Sequence, residues 1–224
     1  MKTFLFNILL SSAIAVPFIG IMSGCSDEDE NRFRPGSAQK PEPVTPEEGL
    51  DYTKLTAENH PRLLMNATDF TVLKDKISSN TSENLTLLHN TIIGLCNSKG
   101  MSSSALTYKL DASNKRILDV SREALLRIFT CAYAYRTTGD SKYLTHAEAD
   151  INAVCNFSDW NSKRHFLDVG EMATAVALGY DWLYNDLSET TRKKAADALL
   201  NFAFKPAQNK VWNLNFYTAT NNWN

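Results

Sequence analysis

The chain has 224 residues, with 23 Lys and Arg, 25 Asp and Glu, and a formal net charge of −2. This balance, with no basic stripe, argues against nucleic acid as a partner. Beyond residue 25 the cysteines are Cys96, Cys131 and Cys155. Their spacing matches no metal motif, and the last two lie in apolar helical patterns, which favours buried thiols over a disulfide framework.

The amino terminus predicts a targeting segment. Lys2 supplies a positive charge, residues 4–22 are mostly apolar, and small residues lead up to Cys25. The apolar run has about the length of a membrane span, but the small residues favour a signal peptide over residues 1–24. The Met22-Ser23-Gly24-Cys25 ending resembles a bacterial lipobox, in which the cysteine is lipidated. We therefore expect an outer-membrane lipoprotein anchored through Cys25; a buried free cysteine or an uncleaved helix is the alternative.

Residues 25–58 predict an acidic, proline-rich and disordered tether. Residues 26–30 read Ser-Asp-Glu-Asp-Glu, and prolines with scattered charge follow up to about residue 50. A segment of this composition cannot bury a core. The acidic run also resembles the surface-export signal of lipoproteins in one Gram-negative phylum. We expect the folded region, residues 59–224, to face either the outside of the cell or the periplasm.

From about residue 60 the sequence predicts helices almost throughout, because apolar residues recur at helical spacing between turn and capping residues. We expect Asn66, Asp140 and Ser188 to be N-caps and Gly139 to end a helix. Residues 100–114 are polar and aperiodic, which predicts a loop. The predicted helices begin at Asn66 and then span about 82–98, 119–137, 140–155, 167–184 and 189–203.

The last four helices form two predicted hairpins with the same asymmetry. In each hairpin the first helix is broadly apolar and the second is amphipathic, and the helix at 167–184 is apolar on more than one face. In the final helix we expect Ala196, Leu199, Leu200 and Ala203 to face inward. Buried helices alternating with half-exposed ones predict an all-α fold, part of an (α/α) toroid with an inner and an outer ring. An α-solenoid is the alternative.

The stretch from Trp212 to Asn224 is rich in amides and aromatic rings and carries almost no charge. A loop that holds a polar, ring-shaped ligand has this composition. The alternatives are asparagines that bond to their own backbone and aromatic side chains that belong to a core. The chain stops inside this loop, so we expect it to be the front part of a longer protein.

Charged and titratable residues near the apolar helix are weaker candidates. His165 precedes that helix, and Glu171 and Asp181 lie on it. A buried carboxylate must be paired or hydrogen-bonded, so each acid is either a site residue or a satisfied structural group. A lone histidine is more often structural. The arginines that could pair with these acids, or with a substrate carboxylate, are Arg122, Arg127 and Arg136.

Four blocks of sequence together resemble the heparinase II/III-like family of polysaccharide lyases. They are HPRLLM at 60–65, EALLRIFTCAYAYRTTGD at 123–140, HFLDVGEMATAVALGYDWLYNDLSETTR at 165–192 and TATNNWN at 218–224. The resemblance implies an incomplete (α/α) toroid of helical hairpins, followed beyond residue 224 by a β-sandwich domain. It also implies β-elimination of uronic-acid-containing polysaccharides. In that reaction a donor neutralises the substrate carboxylate, a base removes the C5 proton, and the 4-linked sugar leaves.

The resemblance also implies roles for individual residues. Asn221 and Asn222 match the position of the amide that binds the substrate carboxylate, and the catalytic Tyr and His are expected beyond Asn224. The expected substrate-binding residues are Trp212, Tyr217, Trp223, Asn224, His165 and Glu171. We expect an acidic polysaccharide or oligosaccharide as the partner, with no cofactor and no metal in this part of the protein. The alternatives are a non-catalytic glycan-binding surface lipoprotein on the same toroid, or a toroid glycoside hydrolase that uses two carboxylates.

Overall fold

The structure is a computed structural model, and it describes residues 59–208. Within that range the chain forms helices joined by turns and loops, with no β-strand, which confirms the all-α prediction for this part of the protein. The expected signal peptide, Cys25, the tether and residues 209–224 lie outside the described residues. No helix between residues 59 and 208 has both the length and the apolarity needed to cross a membrane.

The helices are α1 (Ala67–Ser78), α2 (Glu83–Leu95), α3 (Leu118–Thr138), α4 (Ser141–Cys155), α5 (Phe166–Leu183), α6 (Glu189–Ala198) and α7 (Lys205–Gln208), with π-helical turns at Cys96–Gly100 and Leu199–Phe204.

The predicted capping residues set the helix boundaries. The Asn66 side chain accepts a hydrogen bond from the backbone N–H of Asp69, and the Asp69 carboxylate accepts one from the backbone N–H of Asn66. Asp140 caps α4 and Ser188 caps α6 through their side chains. Gly139 ends α3 with a φ of 76°, a left-handed conformation that glycine adopts without strain. Such caps stabilise a helix end by about 1 kcal/mol each, so the local sequence determines where these helices begin.

Helices α3 and α5 lie side by side and form the centre of the core. Arg122 near the start of α3 pairs with Glu171 near the start of α5, and Arg136 near the end of α3 lies beside Asp186, just after α5. The two helices therefore run in the same direction. At Gly179 of α5 an added Cβ would lie 2.5 Å from Ile128 Cγ2 of α3, so a glycine permits this close approach.

The buried residues follow the predicted asymmetry within each hairpin. Helices α3 and α5 bury residues on several faces, as expected for the apolar member of each pair. Helix α4 buries one stripe that includes Tyr143, Ala147 and Ile151, and α6 buries Thr191 and a few alanines. Helices α3 and α5 thus supply most of the core, and α4 and α6 each add one buried face.

The inward face of α6 differs from the prediction. Leu199 and Ala203 are buried as expected, but Ala196 and Leu200 are exposed. The buried stripe runs through Thr191 instead, whose hydroxyl accepts a hydrogen bond from Asn152 of α4 at 2.8 Å. Ala195 and Ala198 continue this stripe, and because the exposed Ala196 is equally apolar, the sequence offered no contrast between the buried and the exposed face. The regular α-helix also ends at Ala198, and the chain continues as a π-helical turn.

Candidate functional site

Polar side chains collect where α3 and α5 begin. Arg116, in the loop before α3, contacts Asp168 in the first turn of α5. The amino-terminal ends of both helices, which carry the positive ends of the helix dipoles, lie at this edge of the structure. We call the following residues the Arg116 cluster: Arg116, Asn161, His165 and Asp168.

Asp168 is the buried centre of the Arg116 cluster. Its carboxylate accepts hydrogen bonds from Arg116 Nε at 3.0 Å and Nη2 at 2.7 Å, and from the backbone N–H of Ile117 at 2.9 Å. Asn161 Nδ2 lies 3.4 Å from the same carboxylate. The side chain has no exposed surface, so these donors stabilise a charge that burial alone would disfavour. Asp168 therefore fixes the position of Arg116.

His165 is held by Arg116 but remains partly exposed. An Nη2 hydrogen of Arg116 points to His165 Nδ1 at 3.1 Å, and 37% of the histidine side chain is exposed. An imidazole that accepts a hydrogen bond at Nδ1 carries its proton at Nε2. His165 can therefore present an oriented Nε2–H donor to a ligand.

Arg122 and Glu171 form a second pair about one helical turn farther along. Arg122 Nε donates to Glu171 Oε2 at 3.1 Å, and Nη2 donates to Oε1 at 3.3 Å. The side chain of Arg122 is 56% exposed, so water screens this pair and it contributes little to stability. The guanidinium of Arg122 is therefore accessible from solvent.

Tyr108 is the tyrosine that the loop before α3 brings to this edge. Its hydroxyl donates to Asp159 Oδ1 at 3.1 Å, and its ring packs edge-on against Phe157. Burial, together with the negative charge of Asp159, raises the pKa of Tyr108 to about 12. A phenol with that pKa is a poor general base near neutral pH. Tyr108 is therefore not suited to be the base of a reaction at this edge.

The second π-helical turn packs against the loop before α5. Phe202, in the second π-helical turn, packs against Trp160 in the loop before α5, with ring centroids 5.5 Å apart. Trp160 is itself buried, and its indole N–H donates to Val154 O at 3.0 Å. The second π-helical turn thus packs against the loop that also carries Asn161 of the Arg116 cluster.

At the opposite end of α5, Asp181 is a structural acid. Its carboxylate accepts hydrogen bonds from the backbone N–H groups of Arg62 and Leu63, both at 2.8 Å, and lies 2.6 Å from His60 Nδ1. His60 stacks on Tyr184 with ring centroids 4.0 Å apart. Of the two possibilities that the sequence left open for Asp181, the structure supports the satisfied structural group.

The other two candidate arginines belong to the framework as well. Arg127 is 2% exposed and makes a bidentate contact with Asp150. Its Nη groups also donate to backbone oxygens of the loop before α3 and to the Glu123 carboxylate. Arg136 lies 3.9 Å from Asp186. Of the three arginines, only Arg122 pairs with one of the two acids singled out in the sequence, Glu171.

The structure thus places two of the predicted binding residues, His165 and Glu171, at one edge. The other predicted site residues lie outside the described range: Cys25, Trp212, Tyr217, Asn221, Asn222, Trp223 and Asn224. Sequence reasoning missed Arg116 and Asp168. An acid in the first turn of a helix is so common that Asp168 carried no distinguishing signal.

Between residues 59 and 208 no group of three His, Cys, Asp or Glu side chains is arranged to hold a metal ion. Neither family models nor curated protein sequences match the chain.

Proposed function

We propose that this chain is the helical part of a polysaccharide lyase that cleaves uronic-acid-containing glycans by β-elimination. The observation that carries the proposal is the presence of two donors at one edge, the oriented Nε2–H of His165 and the exposed guanidinium of Arg122. The sequence resemblance supports the same reaction.

The predicted asparagines and the two donors have separate roles in the proposed reaction. Asn221 and Asn222 bind the uronate carboxylate, and their amides donate hydrogen bonds that strengthen as charge develops there. His165 and Arg122 donate to a neighbouring sugar or carboxylate and orient the ring. The base removes the C5 proton, the C4–O bond breaks with formation of the C4–C5 double bond, and the leaving oxygen takes up a proton. The family resemblance assigns the base to sequence beyond Asn224.

The proposal extends to the fold and to the location of the protein. The two hairpins, α3–α4 and α5–α6, are proposed to be neighbouring units of an incomplete (α/α) toroid with α3 and α5 in its inner ring. The parallel course of those two helices and their shared burial support this arrangement. The lipobox-like ending at Cys25 supports a lipoprotein of the outer membrane.

Two carboxylates of α5, Asp168 and Asp181, are poorly suited to be the acid and base of a glycoside hydrolase. Asp168 and Asp181 are thirteen residues apart, about 20 Å along the helix, whereas a hydrolase pair lies within about 10 Å. Both acids are also enclosed by their own hydrogen-bond donors. Neither of these two acids is therefore available to protonate a glycosidic oxygen, which counts against their use as a hydrolase pair.

The test is an assay of the complete natural protein on a panel of uronic-acid polysaccharides, followed by the ultraviolet absorbance of the unsaturated uronate. We expect product from the complete protein and none from the 224-residue chain alone, because the expected base is not in it. Asn222→Ala should lower turnover by about two to three orders of magnitude, and His165→Ala by about one to two.

Asn201→Ala provides the matched control, because this exposed asparagine donates to Asp197 O and accepts from Lys205 Nζ, each four residues away in the chain. It should leave turnover unchanged. A folded complete protein that binds acidic glycans but yields no unsaturated product on any polymer of the panel would contradict the lyase proposal. The glycan-binding alternative would then be favoured.

A further inference from the structure

Two buried thiols face each other across the contact between the first π-helical turn and α3. Cys96 begins that turn, Cys131 lies in the middle of α3, and their Sγ atoms are 3.5 Å apart. Neither residue has exposed surface. The third cysteine of the described range, Cys155, lies on α4 and is partly exposed.

The surroundings hold the two sulfurs together. An added Cβ at Gly100 would lie 2.5 Å from Thr130 Oγ1 and 3.4–3.5 Å from the two sulfurs, so the backbone of the turn rests directly on α3. The turn is also tied to α4, because the hydroxyl of Tyr143 donates to Asn97 Oδ1 at 2.9 Å. The thiols therefore meet because of the packing of three elements.

We propose that Cys96 and Cys131 form a disulfide when the chain folds in the presence of a disulfide oxidant. The sulfurs need to approach by about 1.5 Å to reach the bonded distance of about 2.05 Å. The bond would close the loop between residues 96 and 131. It would thereby link the end of α2, and with it the α1–α2 pair, covalently to α3 in the core. This inference is independent of the proposed glycan chemistry.

The oxidation is a pair of thiol–disulfide exchanges. The Cys96 thiolate attacks glutathione disulfide and releases one glutathione; the Cys131 thiolate then attacks the Cys96 sulfur of the mixed disulfide and releases the second. The cysteines lose two electrons and two protons, and glutathione disulfide gains them.

Since both sulfurs are enclosed in the folded protein, we expect the bond to form during folding. The experiment therefore has two arms: the full chain exported with its own leader from a Gram-negative host, and the full chain refolded in a mixture of reduced and oxidised glutathione. In both arms free thiols are alkylated in denaturant without reductant, and tryptic peptides are identified by mass. We expect peptide 77–99 to be linked to peptide 128–136, with Cys155 alkylated in peptide 143–163.

The two arms test two claims separately: that Cys96 and Cys131 can form a disulfide, and that the protein is exported to an oxidising compartment. Linkage in the refolded arm supports the site even if the exported arm lacks it, a result that would count against export. Cys96 and Cys131 both alkylated after refolding in glutathione, or either one linked to Cys155, would overturn the proposal.

Thermal unfolding gives a second readout. Reduction of the wild-type protein should lower Tm by about 5–15 °C, since the closed loop constrains the unfolded chain. Cys155→Ser should show the same shift, and Cys131→Ala should show none. A wild-type Tm that is insensitive to reductant, in protein shown to carry the linkage, would overturn the claim that the bond fastens the helices.

Discussion

The two ends of α5 contain the same kinds of side chain arranged for different purposes. At one end, Asp181 contacts His60 and two backbone N–H groups, and the His60 side chain is 4% exposed. At the other end, Asp168 fixes Arg116, which in turn holds a His165 side chain that is 37% exposed. The contact between a histidine, an acid and an arginine therefore does not by itself define a site. The difference is that the Asp181 end is closed, whereas the Asp168 end keeps an oriented donor at the surface.

The largest effect should come from Asp181→Ala. This change removes the acceptor for His60 and for the backbone N–H groups of Arg62 and Leu63, so we expect a loss of about 3–5 kcal/mol in the free energy of unfolding. Urea denaturation measures it. Asp186→Ala is the matched control, because this half-exposed acid lies 3.9 Å from its arginine, and it should cost less than about 1 kcal/mol. Equal losses in the two variants would show that the Asp181 end is not closed as described.

Asp168→Ala should have a smaller effect on stability, about 2–3 kcal/mol. The backbone N–H of Ile117 loses its acceptor, but the Arg116 side chain is 27% exposed and can turn towards water. The same denaturation experiment measures the loss, with the exposed Asp197→Ala as a control that should be nearly neutral. A loss as large as that of Asp181→Ala would indicate that the two ends are equally closed.

The features that the sequence predicted correctly are those that depend on residues close together in the chain. Asn66, Gly139, Asp140 and Ser188 were recognisable because a cap acts within three or four residues of its own position. The apolar character of α5 was likewise sufficient to predict its burial. These signals gave the all-α class and the helix boundaries to within a few residues.

The sequence could not predict which polar groups meet across the chain. Arg116 and Asp168 are 52 residues apart, and nothing near either residue distinguishes this pair from others with the same charges. Thr191 faces α4 through its hydrogen bond with Asn152, a contact that nothing in the sequence of α6 indicated. The choice between a site residue and a structural acid for Asp181 also depended on distant groups, the backbone at 62 and 63. Long-range partners are therefore what the structure adds.

The central claim is that a uronate-containing glycan binds at the open end of α5 and not at the closed end. The most direct measurement is nuclear magnetic resonance of the histidine ring signals while the 224-residue chain is titrated with uronate-containing tetrasaccharides. The chain has four histidines, and a His165→Ala variant and a His60→Ala variant identify the two signals that matter. We expect the His165 signal to shift in a saturable way and the His60 signal to stay in place. A His60 signal that shifts as much as that of His165, or no shift of His165 with any of the tetrasaccharides, would contradict the account.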